Sequence, residues 1–354
     1  MSGSSIKLLV VDDSALMRRC YKDIFEEAEG FDVRMARNGR DALEQLEDFQ
    51  PDVVTLDVNM PEMDGLTCLS HIMVRRPCPV VMVSSLTEEG AVTTLEALEL
   101  GAVDYVPKPD GTVSLSLDTI RGQLLAKVRQ AARARVRRAH GLSQRLREHR
   151  PAPVRRPPVS FSRSPSDGLV LVGVSTGGPR TLDEILPALP ADFPLPVVVA
   201  QHMPLSFTAP FARRLDSICP MNVVEVSGPV PLMPGHVYIG RGDRDIVIGR
   251  RFSRLIAESV DSDGTPWHPS VDRLAATAME HVAADKLIGV VLTGMGNDGS
   301  REMAALRRQG GRTIAESEET AVVFGMPNEL IKAGGAEAVL PSGAIAAHIL
   351  KLVK

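Results

Sequence analysis

Leu169-Val170-Leu171-Val172-Gly173-Val174-Ser175-Thr176-Gly177-Gly178-Pro179 is an apolar run that ends in a serine, two glycines and a proline. An apolar run bounded by turn residues reads as a strand buried on both faces. The glycines around Ser175 permit a sharp turn, and Pro179 suits the first turn of a helix, where its missing N–H costs nothing. Strand, turn and helix in that order mark an α/β fold with a mostly parallel sheet. Two further stretches repeat the pattern. Gln201-His202-Met203-Pro204 follows Val197–Ala200, and Gly294-Met295-Gly296-Asn297-Asp298-Gly299 follows Leu287–Leu292.

In such a sheet the strand carboxyl ends share one edge, so Ser175, His202 and Asp298 can converge there from distant positions. Together they would supply a nucleophile, a general base and an orienting acid, the chemistry of a serine hydrolase. Each residue alone has a plainer reading. Ser175 could sit in a phosphate-binding turn or cap a helix, His202 could be a packed core histidine, and Asp298 could stabilise its own turn. Gly173-Val174-Ser175-Thr176-Gly177 fits G-x-S-x-G. The order Ser, His, Asp is nevertheless not that of the α/β-hydrolases, so the match does not assign that fold.

Residues 6–110 carry a second, more regular alternation. Apolar runs at Ile6–Val11, Val53–Val58, Val80–Val83 and Val103–Val106, with an amphipathic one at Phe31–Ala36, are separated by helical stretches such as Asp41–Phe49 and Thr87–Leu100. Gly101 is placed to stop the last of these. Five β-then-α units predict a doubly wound parallel sheet. Asp12 and Asp13 close the first strand and Asp57 the third, which predicts three carboxylates at one edge. Such a cluster calls for a hard divalent cation, Mg²⁺, with oxygen ligands. Asp57 could then attack phosphorus and become an aspartyl phosphate. Lys108 would offer a cation, and Ser84 a hydrogen bond, to the phosphoryl oxygens. Any one of these residues alone reads as a surface turn charge.

The 354 residues suffice for two domains with substantial cores. Hydrophobic and charged fractions of 44% and 24% are ordinary for globular protein. No apolar run approaches the ~20 residues that span a bilayer. Four cysteines without a CxxC pair, and no secretory signal, lead us to expect a reduced, cytoplasmic protein without membrane insertion. The net charge of −4 conceals a block from Arg121 to Arg163 with 13 Lys or Arg and one acidic residue, +12, which leaves −16 elsewhere. Such a block reads as a nucleic-acid arm, a contact for acidic surfaces or a solvated linker. It lacks interleaved aromatics and a helix-turn-helix partner, which favours the linker. Around it, Leu117–Ala139 carries a helical pattern, and residues 150–165 contain five prolines that resist regular structure. Patches at His236–Ile239, Asp245–Ile248 and Leu255–Ser259 predict a small antiparallel hairpin in the second domain. The expected organisation is a first domain over 1–123, a basic Pro-rich linker over 124–166, and a catalytic domain over 167–354.

The set Asp12, Asp13, Asp57, Ser84, Tyr105 and Lys108 resembles the receiver domain of two-component response regulators. That resemblance implies phosphorylation at Asp57, a magnesium ligand in the Asn59 carbonyl, and a switching pair in Ser84 and Tyr105. Ser-Thr-Gly-Gly-Pro (175–179), Ala-Gln-His-Met-Pro (200–204), Pro-Ser-Val-Asp (269–272), Leu-Thr-Gly-Met-Gly-Asn-Asp-Gly (292–299) and Val-Phe-Gly-Met-Pro (323–327) together resemble the effector domain of the CheB protein-glutamate methylesterases. The likeness implies that Ser175 is the nucleophile, His202 the base and Asp298 its orienter. Thr176 would help place the imidazole, and the Met295 N–H would contribute to the oxyanion hole. It further implies methyl-ester hydrolysis and glutamine deamidation on chemoreceptors, a chemotaxis-type histidine kinase as phosphodonor, and no cofactor at the esterase site. Two segments depart from the family pattern. Trp267-His268 stands where His-Arg is common, and Gly240-Arg241-Gly242-Asp243 where Ala-Pro-Gly-Asp is usual. Both are expected on the substrate-facing rim.

Overall fold

The computed structural model describes residues 5–85, 87–108, 113–134, 167–262 and 264–353, with the side chains of 113–120 left aside. The chain divides into two units, Met1–His149 and Arg150–Lys354.

In the first unit the elements run β1 (Ile6–Val11), α1 (Ala15–Glu27), β2 (Phe31–Ala36), α2 (Gly39–Phe49), β3 (Val53–Asp57), α3 (Gly65–Arg75), β4 (Val80–Ser84), α4 (Glu88–Leu100), β5 (Asp104–Pro107) and α5 (Val113–Ala131). The sheet order β2-β1-β3-β4-β5, parallel throughout, is the doubly wound arrangement expected from the alternation. β3 and β4 are buried along their whole length, which is why they read as unbroken apolar runs. The polar residues before the helices cap them: Ser14, Asn38, Asp64 and Thr87 each accept from a backbone N–H of the first turn. Gly101 ends α4, donating its N–H to the Ala97 and Leu98 carbonyls.

α5 runs past the expected boundary at 123. Leu124, Val128 and Ala131 are buried, so this helix belongs to the first unit as far as Ala131. The start of the basic block is used within that unit. Arg121 pairs with Glu27 at 2.7 Å, and Lys127 Nζ donates to Asp104 and to the Tyr105 carbonyl. Arg129 lies over the Phe31 ring. Residues 135–166 of the block and the Pro-rich linker lie outside the described residues.

The second unit runs β6 (Leu169–Val174), α6 (Gly178–Ile185), β7 (Val197–Gln201), α7 (Leu205–Ile218), β8 (Asn222–Val226), β9 (Val230–Pro231), β10 (His236–Gly240), β11 (Asp245–Arg251), β12 (Arg254–Val260), α8 (Val271–His281), β13 (Leu287–Val291), α9 (Ser300–Arg308), β14 (Arg312–Glu316), α10 (Met326–Lys332), β15 (Ala338–Leu340) and α11 (Ser342–Leu352), with short 3₁₀ turns between. Seven parallel strands order as β15-β14-β13-β6-β7-β10-β8. β11, β12 and β9 form a separate antiparallel sheet. The sequence reading assigned His236–Ile239 to the hairpin region, and this is a correction. β10 pairs in parallel with both β7 and β8. Apolar periodicity marks a strand but carries no direction, so it cannot separate the two pairings. Among the described residues no helix is long and apolar enough to cross a membrane.

Candidate active site

β13, β6 and β7 are neighbours, with β6 in the middle, and their hydrogen bonding continues past the strand ends. Leu292 N donates to the Gly173 carbonyl, Ser175 N to the Thr293 carbonyl at 3.0 Å, and His202 N to the Val174 carbonyl at 3.0 Å. The three sequence stretches therefore emerge side by side. Ser175 is followed by Gly177 at φ +80°, a left-handed conformation that places the turn directly against the amino end of α6. The buried Gln201 amide donates to the Ser175 carbonyl at 3.0 Å and to the His202 carbonyl at 3.1 Å, fastening the two turns together.

His202 Nε2 lies 2.8 Å from Asp298 Oδ2. Asp298, 4% exposed, also accepts from Val271 N at 2.7 Å, Asp272 N at 3.0 Å and Ser270 Oγ at 3.2 Å, so the amino end of α8 grips the carboxylate. Burial pushes Asp298 up, but the His202 hydrogen bond and charge and the two N–H donors more than offset it and hold the carboxyl below its ordinary value. An ionised Asp298 fixes the tautomer: Nε2 carries the proton and Nδ1 the lone pair. Nδ1 is buried and has no hydrogen-bond partner. Among the described residues no hydrogen bond joins Ser175 Oγ to the ring, although the two residues sit on adjacent strand ends. Two members of the expected triad are thus bonded and the third is a neighbour. Such contacts are often long before substrate binds.

Thr176 is buried, and its carbonyl accepts from Thr293 Oγ1 at 2.8 Å. Met295 is half-buried, and among the described residues its N–H donates to no acceptor, as an oxyanion donor requires. The departing loop reaches this site too: Asp243 Oδ2 accepts from Leu205 N, the first residue of α7, three residues beyond His202. Trp267 stacks on the His202 ring.

Sequence reasoning missed Glu316. Its side chain is fully buried at the end of β14, where Oε2 accepts from Thr293 N at 2.8 Å and Oε1 has no partner. Burial raises its pKa from 4.5 to about 7, against hydrogen bonds from Thr293 and Thr320 and with help from Glu184. The native state therefore keeps a proton that the unfolded chain releases near 4.5, and stability falls as pH rises from there to about 7. Glu316→Gln, permanently neutral, escapes that fall. The variant should melt at a higher temperature than the wild type at pH 8 and at an equal one at pH 4, measured by thermal denaturation.

In the first unit, the side-chain oxygens of Asp12, Asp13 and Asp57 lie within 4.8 Å of one another. Lys108 Nζ is 2.6 Å from Asp57 Oδ2 and 3.1 Å from Asp12 Oδ2, yet Asp12 Oδ2, buried, accepts no well-directed hydrogen bond. Three clustered carboxylates with a spare buried oxygen fit a hard divalent cation. Burial raises Asp57 to about 6, opposed by Lys108 and reinforced by Asp12 and Asp13. Ser84 is buried at the end of β4, its Oγ donating to the Gly90 carbonyl at 3.2 Å. Tyr105 is buried on β5 under Lys127, and Asn59 is exposed just beyond β3.

Known proteins match both units. The family described as CheB methylesterase matches residues 170–349, and the response regulator receiver domain matches residues 8–116. Protein-glutamate methylesterase/protein-glutamine glutaminase 3 of Rhodospirillum rubrum is 56% identical over 351 residues, covering 97% of this chain and 95% of that one. The corresponding protein 2 of Rhodopseudomonas palustris is 51% identical, covering 98% of each. The crystal structure of the Thermotoga maritima CheB methylesterase catalytic domain superimposes with a TM-score of 0.51 at 41% identity, over 54% of this chain and all of that domain. With matched family models over both units and relatives this similar along nearly the whole length, the chain belongs to the CheB methylesterase family.

Proposed function

We propose that this chain is a phosphorylation-regulated serine hydrolase that removes methyl groups from glutamate methyl esters on chemoreceptors and deamidates receptor glutamines. The observation that carries the reading is His202, bonded through Nε2 to a buried, ionised Asp298 while Nδ1 is left without a hydrogen-bond partner, on the strand end next to that of Ser175. Nδ1 takes the Ser175 proton as Oγ attacks the ester carbonyl. This reverses the ring relative to the chymotrypsin arrangement, where Nδ1 faces the carboxylate. Asp298 stabilises the imidazolium that forms, and the Met295 N–H meets the developing oxyanion, a contribution of about 10²–10³-fold for such a donor. His202 then protonates the leaving oxygen, methanol departs, and water cleaves the acyl-enzyme to leave a carboxylate. With an amide substrate the same proton goes to nitrogen and ammonia leaves.

In the first unit an Asp57 oxygen attacks the phosphorus supplied by a histidine kinase, and Lys108 pairs with the phosphoryl oxygens. A magnesium ion held by Asp12, Asp13, Asp57 and the Asn59 carbonyl would neutralise charge there. Ser84 and Tyr105 respond to the new group, and the receiver unit restrains the esterase until Asp57 carries it. A shift of a few kcal/mol between restrained and active states suffices. The expected site of action is the cytoplasm.

The test is methanol release from membranes bearing methylated receptors, with and without a small-molecule phosphodonor and Mg²⁺. Wild-type protein should accelerate about tenfold or more on phosphorylation, corresponding to the ~1.4 kcal/mol that such a population shift readily supplies. Asp57→Asn should stay at the basal rate under both conditions. An equal response of the Asp57→Asn variant would exclude regulation through that residue.

A further inference from the structure

Trp267 is the single tryptophan of the chain. Its indole is stacked, nearly parallel, on the His202 imidazole, centroids 5.7 Å apart and planes 12° from parallel. The far edge of the same indole covers Gly296, where a Cβ would meet Trp267 Cζ2 at 2.7 Å in a backbone already at φ +80°. Gly296 directly follows Met295, whose N–H donates to no acceptor among the described residues. One half-buried side chain therefore spans His202 and the Met295–Gly296 turn proposed to carry the oxyanion donor. The segment holding it is anchored on the following residues. His268 Nδ1 is 3.0 Å from the fully buried Asp245, which also accepts from Ser270 N and Arg273.

We propose that Trp267 is a positioning residue for the hydrolysis, acting through His202. Its flat face holds the imidazole with Nδ1 turned to Ser175, and its edge sets the base against the Met295–Gly296 backbone. The ring it covers becomes an imidazolium only as the serine proton is transferred. A cation within about 6 Å of an indole face is attracted by the ring quadrupole. The contact thus strengthens on the way to the transition state, and an interaction of that kind acts on kcat rather than KM. A purely steric plug would lack this dependence on charge. The inference rests on His202 being the general base.

Two measurements test it. Trp267→Phe, which keeps an aromatic face, should retain kcat within about threefold, whereas Trp267→Leu should lose about tenfold in kcat with KM changed less than about twofold. Equal rates for the Phe and Leu variants, or a rise in KM at unchanged kcat, would overturn the assignment. The second measurement needs no turnover. With one tryptophan, the emission of the inactive Ser175→Ala variant reads the stacked ring alone, because imidazolium quenches indole more strongly than imidazole. The groups facing the pair are Asp298 on Nε2, Asp272 and Arg301 behind Asp298, and His268 with Asp245 and Arg273 beside the indole. Emission should step with pH, the step should vanish in His202→Ala, and it should survive His268→Gln. A step that persists without His202 overturns the proposal. Esterase activity that survives in Ser175→Ala overturns instead the hydrolase reading on which it stands.

Discussion

Ser175→Ala abolishes methanol release from methylated receptors, lowering kcat by about 10⁴-fold or more while leaving the fold intact. The magnitude follows from the way triads act as a unit: removing the nucleophile strands the base and the carboxylate, and what remains is only the oxyanion donors and binding. The fold is spared because the Ser175 hydroxyl carries no structural hydrogen bond among the described residues. The turn is held by its backbone instead, through Ser175 N on the Thr293 carbonyl, Gly178 N on the Ser175 carbonyl and the Gln201 amide. Loss of one half-buried oxygen that bonds nothing costs within about 0.5 kcal/mol. Thermal denaturation should superimpose on that of the wild type, and steady-state rates on a methyl ester should not. Retention of more than about a tenth of the wild-type rate would remove Ser175 from the chemistry and return the turn to its plainer reading as a helix cap.

The edge on which that chemistry sits was legible because strands buried on both faces leave uninterrupted apolar runs. Leu169–Val174 and Leu287–Val291 are wholly buried, and glycine-marked turns follow both. Strand direction was not legible. His236–Gly240 has the composition of a hairpin strand, yet crosses over to pair in parallel with β7 and β8. Partners supplied by backbone were equally silent. Asp298 could be chosen from its glycine-rich turn, but the N–H groups of Val271 and Asp272 that hold it come from a helix 26 to 27 residues earlier. Glu316 carried no signal at all, since nothing in a single sequence distinguishes a carboxyl with no exposure from one in water. Trp267 was visible as a departure, but its position over His202 depends on how the residues before Pro269 return to the sheet edge.

The backbone grip on Asp298 makes its replacement by asparagine the second large effect, and one that differs in kind from the loss of Ser175. Both carboxylate oxygens are committed: Oδ2 takes His202 Nε2 and Val271 N, and Oδ1 takes Ser270 Oγ and Asp272 N. Asparagine must put an NH₂ in one of those two places. If it replaces Oδ2, it meets the Val271 N–H and forces Nε2 to accept, which moves the ring proton to Nδ1, where the serine needs a base. If it replaces Oδ1, it meets the Asp272 N–H and leaves a donor unpaired in the first turn of α8, while His202 loses a charged partner for its imidazolium. Either arrangement lowers kcat, by about 10⁴-fold where the wrong tautomer is imposed. Either also costs about 1–3 kcal/mol of stability for the unpaired buried donor. Acid unfolding separates the charge from the packing. A carboxyl held below its ordinary 3.8 contributes stability above that pH and loses it as pH falls further, so the wild-type advantage in melting temperature should shrink below about pH 4. Asp298→Asn with a normal melting temperature and a rate within tenfold of wild type would mean that the carboxylate neither orients the imidazole nor organises the amino end of α8.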